Sequence, residues 1–161
     1  MCTEKISVIH QNLQSIGNSV NLLVDFLEEQ EDCVVLCTTE HWKTREQLPQ
    51  YDIKGFKLAA SFCRVGMNRH GGCAIYVKKG FKCKVRLDLN KLGLENHFEC
   101  CSCEVIINSN KVVIVSLYRP PDGDIKVFQD KLEKLLKVND KNNIIICGDL
   151  NVDFLLKNKN M

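Results

Sequence analysis

Residues 143–151 read Asn-Ile-Ile-Ile-Cys-Gly-Asp-Leu-Asn, and the fold class is decided there. Ile144, Ile145, Ile146 and Cys147 form an unbroken apolar run, β-branched at its first three positions, as a strand covered on both faces requires. Gly148 ends the run, and Asp149, Leu150 and Asn151 follow at the strand's carboxyl end. The design recurs earlier: Val34-Val35-Leu36-Cys37 is continuously apolar, and Glu40 and His41 come just after it. A helical pattern precedes each of these strands. Val20, Leu23, Val24 and Leu27 make one apolar face, with Asn18 or Ser19 as the cap. Ile125, Phe128, Leu132, Leu135 and Leu136 make another, with Asp122 or Asp124 as the cap and Asn142-Asn143 as the break after it.

Further strands are read at residues 6–10, 99–107 and 111–118, the last two joined by a tight Asn108-Ser109-Asn110 turn. Gly71-Gly72 precedes a strand over 73–79, and Gly80 joins it to 81–85 in a predicted hairpin. Residues 43–57, polar with Pro49 and Gly55, and residues 87–96 read as loops, and Pro120-Pro121 closes the strand before it. Glu28, Glu29, Glu31 and Asp32 read as a solvated turn. The order predicts an α/β fold: one domain over 1–161, a sandwich of two mixed β-sheets flanked by helices. A doubly covered strand so near residue 161 predicts further strands beyond it, making this the N-terminal portion of a larger domain.

The 161 residues, 45% apolar and 26% charged, suit one globular core. A net charge of +2 is close to neutral and decides nothing about nucleic acid by itself, so any phosphate affinity is expected from a local site. No apolar run approaches the roughly 18 residues of a membrane span, and residues 1–9 lack the apolar core of a signal peptide, so an intracellular chain is expected. The ten cysteines then read first as small buried apolar residues. Zinc is the alternative, prompted by Cys33, Cys37 and His41 and by Cys100 with Cys103. The second pair sits three apart on a predicted strand, which points its members to opposite faces.

Polar residues gather at predicted strand ends: Gln11 and Asn12, Glu40 and His41, Tyr118 and Arg119, Asp149 and Asn151. Loops at such ends can vary while the sheet holds them rigid. Carboxylates there suit a hard cation that keeps several waters. A second carboxylate can orient and deprotonate water, and amides or a phenol can donate to phosphoryl oxygens. Singly, each residue has a plainer reading: Asn12 as a strand terminator, Glu40 as a surface acid, residues 149–151 as a turn.

The strings His10-Gln11-Asn12-Leu13-Gln14-Ser15, Thr39-Glu40-His41-Trp42, His70-Gly71-Gly72-Cys73-Ala74-Ile75-Tyr76-Val77, Tyr118-Arg119-Pro120-Pro121 and Gly148-Asp149-Leu150-Asn151 occur in one order across nearly the whole chain. In this they resemble the endonuclease/exonuclease/phosphatase superfamily. The resemblance is nearest to the apurinic-type endonuclease domains of non-LTR retrotransposons of the jockey or CR1 type. It implies a magnesium-dependent phosphodiesterase, with manganese able to stand in, that nicks DNA and leaves a 3′-hydroxyl to prime reverse transcription. It implies Glu40 as the principal metal ligand and Asn12 as organiser of the metal. Tyr118 would contact the scissile phosphate, Asp149 would position or activate water, and Asn151 would hold a phosphoryl oxygen. It also implies DNA as substrate, a reverse transcriptase domain in cis and a nuclear location.

Two departures accompany it. Gln14 stands where many members have an acid. The closing Ser-Asp-His motif is absent, since none of His10, His41, His70 or His97 follows Ser-Asp. Two other readings therefore stand beside the nuclease: an inactive remnant that binds nucleic acid or a partner, and a phosphatase or sphingomyelinase relative. Tyr118-Arg119-Pro120-Pro121 argues for the retrotransposon branch against the last.

Overall fold

The computed structural model describes residues 5–138 and 143–152. Asn142, part of the break expected after the second helix, and the residues beyond Val152 lie outside the described residues. In chain order the elements are β1 (Ser7–Asn12), α1 (Ile16–Glu28), β2 (Cys33–Thr39), β3 (Phe56–Phe62), β4 (Cys73–Lys78), β5 (Cys83–Val85), α2 (Leu87–Asn90), β6 (Glu99–Ile107), β7 (Asn110–Tyr118), α3 (Ile125–Val138) and β8 (Asn143–Asp149). They build two four-stranded sheets, ordered β1-β2-β4-β3 and β5-β6-β7-β8. Each is mixed: β1 and β2 run parallel, as do β7 and β8, while the other pairings are antiparallel. The predicted sandwich of mixed sheets with few helices is the observed fold.

Three apolar clusters make the layers. Between the sheets, Val35, Cys37, Ile75 and Val77 of the first meet Cys101, Cys103, Val105 and Ile114 of the second. On the outer face of the first sheet, Ile16, Leu23 and Leu27 around α1 cover Leu36, Ala74 and Tyr76. On the outer face of the second, Phe128 and Leu135 of α3 cover Cys100, Val113, Val115 and Leu117. β2 is thus buried at every position, as its apolar run requires. Cys100 and Cys103 lie in different clusters, on opposite faces of β6, as the strand period dictates.

Several expectations need correction. β4 and β5 form no hairpin, because the turn at Gly80 (φ 101°) carries the chain from one sheet to the other. β3 was not foreseen. It begins inside the segment read as loop, its Ala59-Ala60 pair has weak strand preference, and its pairing with β4 shifts register between Leu58 and Ala60. Residues 87–96 contain the short α2 rather than only loop. α1 begins at Ile16, before the expected cap. β8 is not buried throughout: among the described residues it pairs on one side only, and Ile145 and Ile146 are each 38% exposed. An apolar run fixes strand identity but cannot distinguish an interior position from an edge. Within α3, Ile125 and Leu136 are exposed while Phe128 and Leu135 are buried, so the packed stripe is narrower than the pattern implied.

Asp124 is the cap of α3: its Oδ1 accepts from the amides of Lys126 (2.8 Å) and Val127 (3.1 Å). Asp124→Ala is expected to lower unfolding free energy by about 1 kcal/mol, measurable as a reduced urea midpoint with unchanged m-value.

Candidate active site

The register brings the chemistry to one end of the sandwich. In the first sheet Asn12 stands opposite Thr39, which pairs in turn with Cys73. In the second, Tyr118 stands opposite both Glu99 and Asp149. The carboxyl ends of β1, β2, β7 and β8 therefore share an edge with the amino ends of β4 and β6. The sheets are tied together beneath this edge, where Ser116 Oγ donates to the Thr38 carbonyl at 3.2 Å.

Four of the five expected residues meet in one hydrogen-bonded group. Asn12 Nδ2 donates to Glu40 Oε1 and to Asp149 Oδ2, both at 2.8 Å. One amide thus joins two carboxylates borne by different sheets. Tyr118, 4% exposed, stands opposite Asp149 in the β7–β8 ladder, and its phenol lies within the electrostatic reach of Glu40. Burial and the Glu40 carboxylate together push that phenol well above its ordinary range, so it remains a proton donor at any working pH. Asn151 joins from the side: its amide donates to Asp149 Oδ1 at 3.1 Å and its Nδ2 to the Arg119 carbonyl at 2.9 Å. A carboxamide has two N–H bonds, so a donor remains for a ligand. The Asn12 oxygen accepts from the Gln14 amide at 3.3 Å, which leaves its second lone pair open.

Among the described residues no lysine or arginine forms an ion pair with Glu40 or Asp149. Two carboxylates sharing one neutral donor, without a cationic side chain, form an all-oxygen site suited to a hard divalent ion. No three His, Cys, Asp or Glu side chains among the described residues gather into a ready cage. A cation here would therefore keep several waters, which magnesium favours over full dehydration.

The loops that present these groups are held by three residues that the sequence reading placed at strand ends without giving them this bracing role, Arg119, Gly148 and His41. Arg119, 6% exposed, donates from Nε to the Leu150 carbonyl (2.8 Å) and from its terminal nitrogens to the carbonyls of Gly123 and Asn151. Gly148 leaves no room for a side chain, since a Cβ there would lie 1.9 Å from the Leu117 carbonyl oxygen. This close approach lets β8 deliver Asp149 beside Tyr118. His41, buried, accepts from the Lys43 amide at Nδ1 (3.0 Å) and donates from Nε2 to the Phe62 carbonyl (3.0 Å). Both bonds require the neutral Nε2–H tautomer, so His41 is a brace and not a zinc ligand or acid. His10, bonded to Thr39 Oγ1 at 3.2 Å, is held below its usual range by burial, against the opposing pull of Asp149.

The sequence matches the endonuclease/exonuclease/phosphatase family over residues 9–157, and the chain belongs to that family. No curated protein matches it. Among solved structures it is similar to the endonuclease domain of TRAS1, a telomere-specific non-LTR retrotransposon, at 16% identity and a TM-score of 0.65. That match covers 91% of this chain and 59% of the other. It is also similar to the human Nocturnin catalytic domain (16% identity, TM-score 0.68, 92% and 64% covered). A third is the mannosyl-6-phosphatase of Bacteroides thetaiotaomicron (15% identity, TM-score 0.66, 92% and 66% covered). These likenesses establish the fold. The chain spans 59% of the TRAS1 domain and 64% of the Nocturnin domain.

Burial lowers the His41 imidazole to about 4. A base whose folded value lies below its unfolded one favours the folded state fully above about 6.5, and that contribution is lost as pH falls toward 4. An NMR titration should show the His41 ring staying neutral through pH 5, with stability falling below pH 6.5. A ring that gains its proton near 6.5 without loss of structure would refute the brace.

Proposed function

We propose that this chain carries the metal- and phosphate-binding end of a magnesium-dependent phosphodiesterase that nicks DNA, as in retrotransposon endonucleases. The carrying observation is the Asn12 amide, which draws the Glu40 and Asp149 carboxylates together at 2.8 Å each. Such a pair is stable in proximity when a divalent cation offsets its charge. Glu40 would hold the ion, with Asn12 fixing its orientation. When bound, magnesium would neutralise charge on a phosphodiester oxygen. Asp149 would orient a water and accept its proton. The protonated Tyr118 phenol and the spare N–H of Asn151 would donate to phosphoryl oxygens as charge develops there.

The choice of DNA over other phosphate esters rests on motif rather than shape, because nuclease and phosphatase structures match at nearly equal TM-scores. Tyr118-Arg119-Pro120-Pro121 with Gly148-Asp149-Leu150-Asn151 supports the retrotransposon branch. On this reading a reverse transcriptase domain lies in the same polypeptide and the work is done in the nucleus, with manganese able to replace magnesium.

The full chain should nick supercoiled plasmid slowly with magnesium and not with a chelator present. Glu40→Ala and Asp149→Asn should each lower the rate by about 10²-fold or more, and Tyr118→Phe by a smaller factor, with all three variants still folded. Nicking that survives Glu40→Ala would sink the assignment. Magnesium-dependent release of phosphate from sugar phosphates, with plasmid left intact, would move the protein to the phosphatase reading.

A further inference from the structure

Glu40 occupies an unusual backbone position. Its φ is 56°, in the left-handed region that a residue with a Cβ enters only when its surroundings hold it there, and Trp42 two residues on has φ 58°. The restraints are specific. The Glu40 amide donates to the Gly72 carbonyl at 2.8 Å and the Trp42 amide to the Gly71 carbonyl at 3.1 Å. On the other side the Ser15 amide donates to the Glu40 carbonyl at 2.9 Å. The conformation of Glu40 is therefore copied from the position of the Gly71-Gly72 segment.

That segment is held by a buried charge. The Gly72 amide donates to Glu99 Oε2 at 2.6 Å. Glu99 Oε1 accepts from Arg64 Nε at 2.7 Å and from the Asn96 amide at 3.1 Å. The pair is almost fully enclosed, with side-chain exposures of 3% for Arg64 and 0% for Glu99. Gly71 lies flat against the guanidinium, for a Cβ there would meet Arg64 Nε at 2.3 Å. Gly72 (φ 85°) is packed as closely on His41, whose Nε2 a Cβ would meet at 2.3 Å. Glu99 also stands opposite Tyr118 in the β6–β7 ladder. One carboxylate thus reaches Glu40 through the Gly72 peptide, whose amide it holds and whose carbonyl holds the Glu40 amide.

We propose that Glu99, fixed by Arg64, is the positioning residue that sets the geometry of Glu40 at the metal site. The inference rests on Glu40 binding the metal. A buried ion pair often adds little to stability beyond what apolar residues of similar volume would give. Its use here is positional, because a charged acceptor holds a peptide N–H closer and more tightly than a neutral one. Neither residue belongs to the Asn12-bridged carboxylate pair, so both would act through Glu40.

The test uses the full chain with Glu99→Gln, and with the double substitution Glu99→Gln plus Arg64→Met, which removes both buried charges should the single variant fail to fold. Amide chemical shifts of Gly72, Glu40 and Trp42 report the positioning without any metal. Mn²⁺ affinity by electron paramagnetic resonance reports its consequence. In a folded variant the Gly72 amide should move upfield of its wild-type position, the Glu40 and Trp42 amides should move, and Mn²⁺ affinity should fall by about tenfold or more. In plasmid nicking, kcat should fall with little change in KM. Folded variants with wild-type shifts at Glu40 and Trp42 and wild-type Mn²⁺ affinity would overturn the proposal. A Glu40→Ala control that binds Mn²⁺ as well as the wild type would overturn the metal reading alone, while the amide shifts still decide whether Glu99 positions Glu40.

Discussion

Two carboxylates on different sheets are drawn toward one amide, and the rest of the architecture serves to make that approach possible. Like charges brought within reach of a shared donor repel, so neither Glu40 nor Asp149 would take up this arrangement on a yielding backbone. Rigidity comes from the sandwich. β2 is a buried strand with a sheet neighbour on each side, and β7 lies between β6 and β8. The Ser116–Thr38 hydrogen bond joins these strands across the interface just below the site. The parallel registers of β1 with β2 and of β7 with β8 end level, which puts Asn12, Glu40, Tyr118 and Asp149 on one rim without any long reach.

A second layer of buried polar groups fixes the rim loops. His41, Glu99 and Arg119 are each almost wholly enclosed, and each hydrogen-bonds backbone groups of the rim loops, Glu99 holding the Arg64 side chain as well. Satisfied networks of this kind rigidify, whereas a single missing partner makes them costly. This explains why Glu40, Trp42 and Asn151 persist at positive φ in loops that would otherwise relax. The Trp42 indole is not fully accommodated: its ring packs against His70 at 4.3 Å between centroids, yet its buried N–H has no partner among the described residues.

Much of this was legible beforehand, for identifiable reasons. The continuous run Val34–Cys37 and the alternation after Glu99 announce strands because burial on one or two faces writes itself into the side chains. The five candidate residues could be picked out because they lie at the ends of such runs and fall in a family order. The pairing of Arg64 with Glu99 could not, since the residues are 35 apart in sequence and belong to no shared motif. Sheet membership was equally invisible. Gly80 signals a turn wherever the chain goes next, and it leads here to the other sheet. The edge position of β8 was hidden too, because Ile144–Cys147 would look the same with one neighbour or two.

The bond between Asn12 and Asp149 joins residues separated by 137 positions, nearly the whole described chain. Contacts of such sequence separation carry the largest loop-closure cost and form late. No hairpin or local helix pair can therefore assemble this site as a folding intermediate. During synthesis Glu40 and Asn12 have no Asp149 to meet until β8 has emerged and docked on β7, so the carboxylate pair comes into being only when the two sheets have closed on each other.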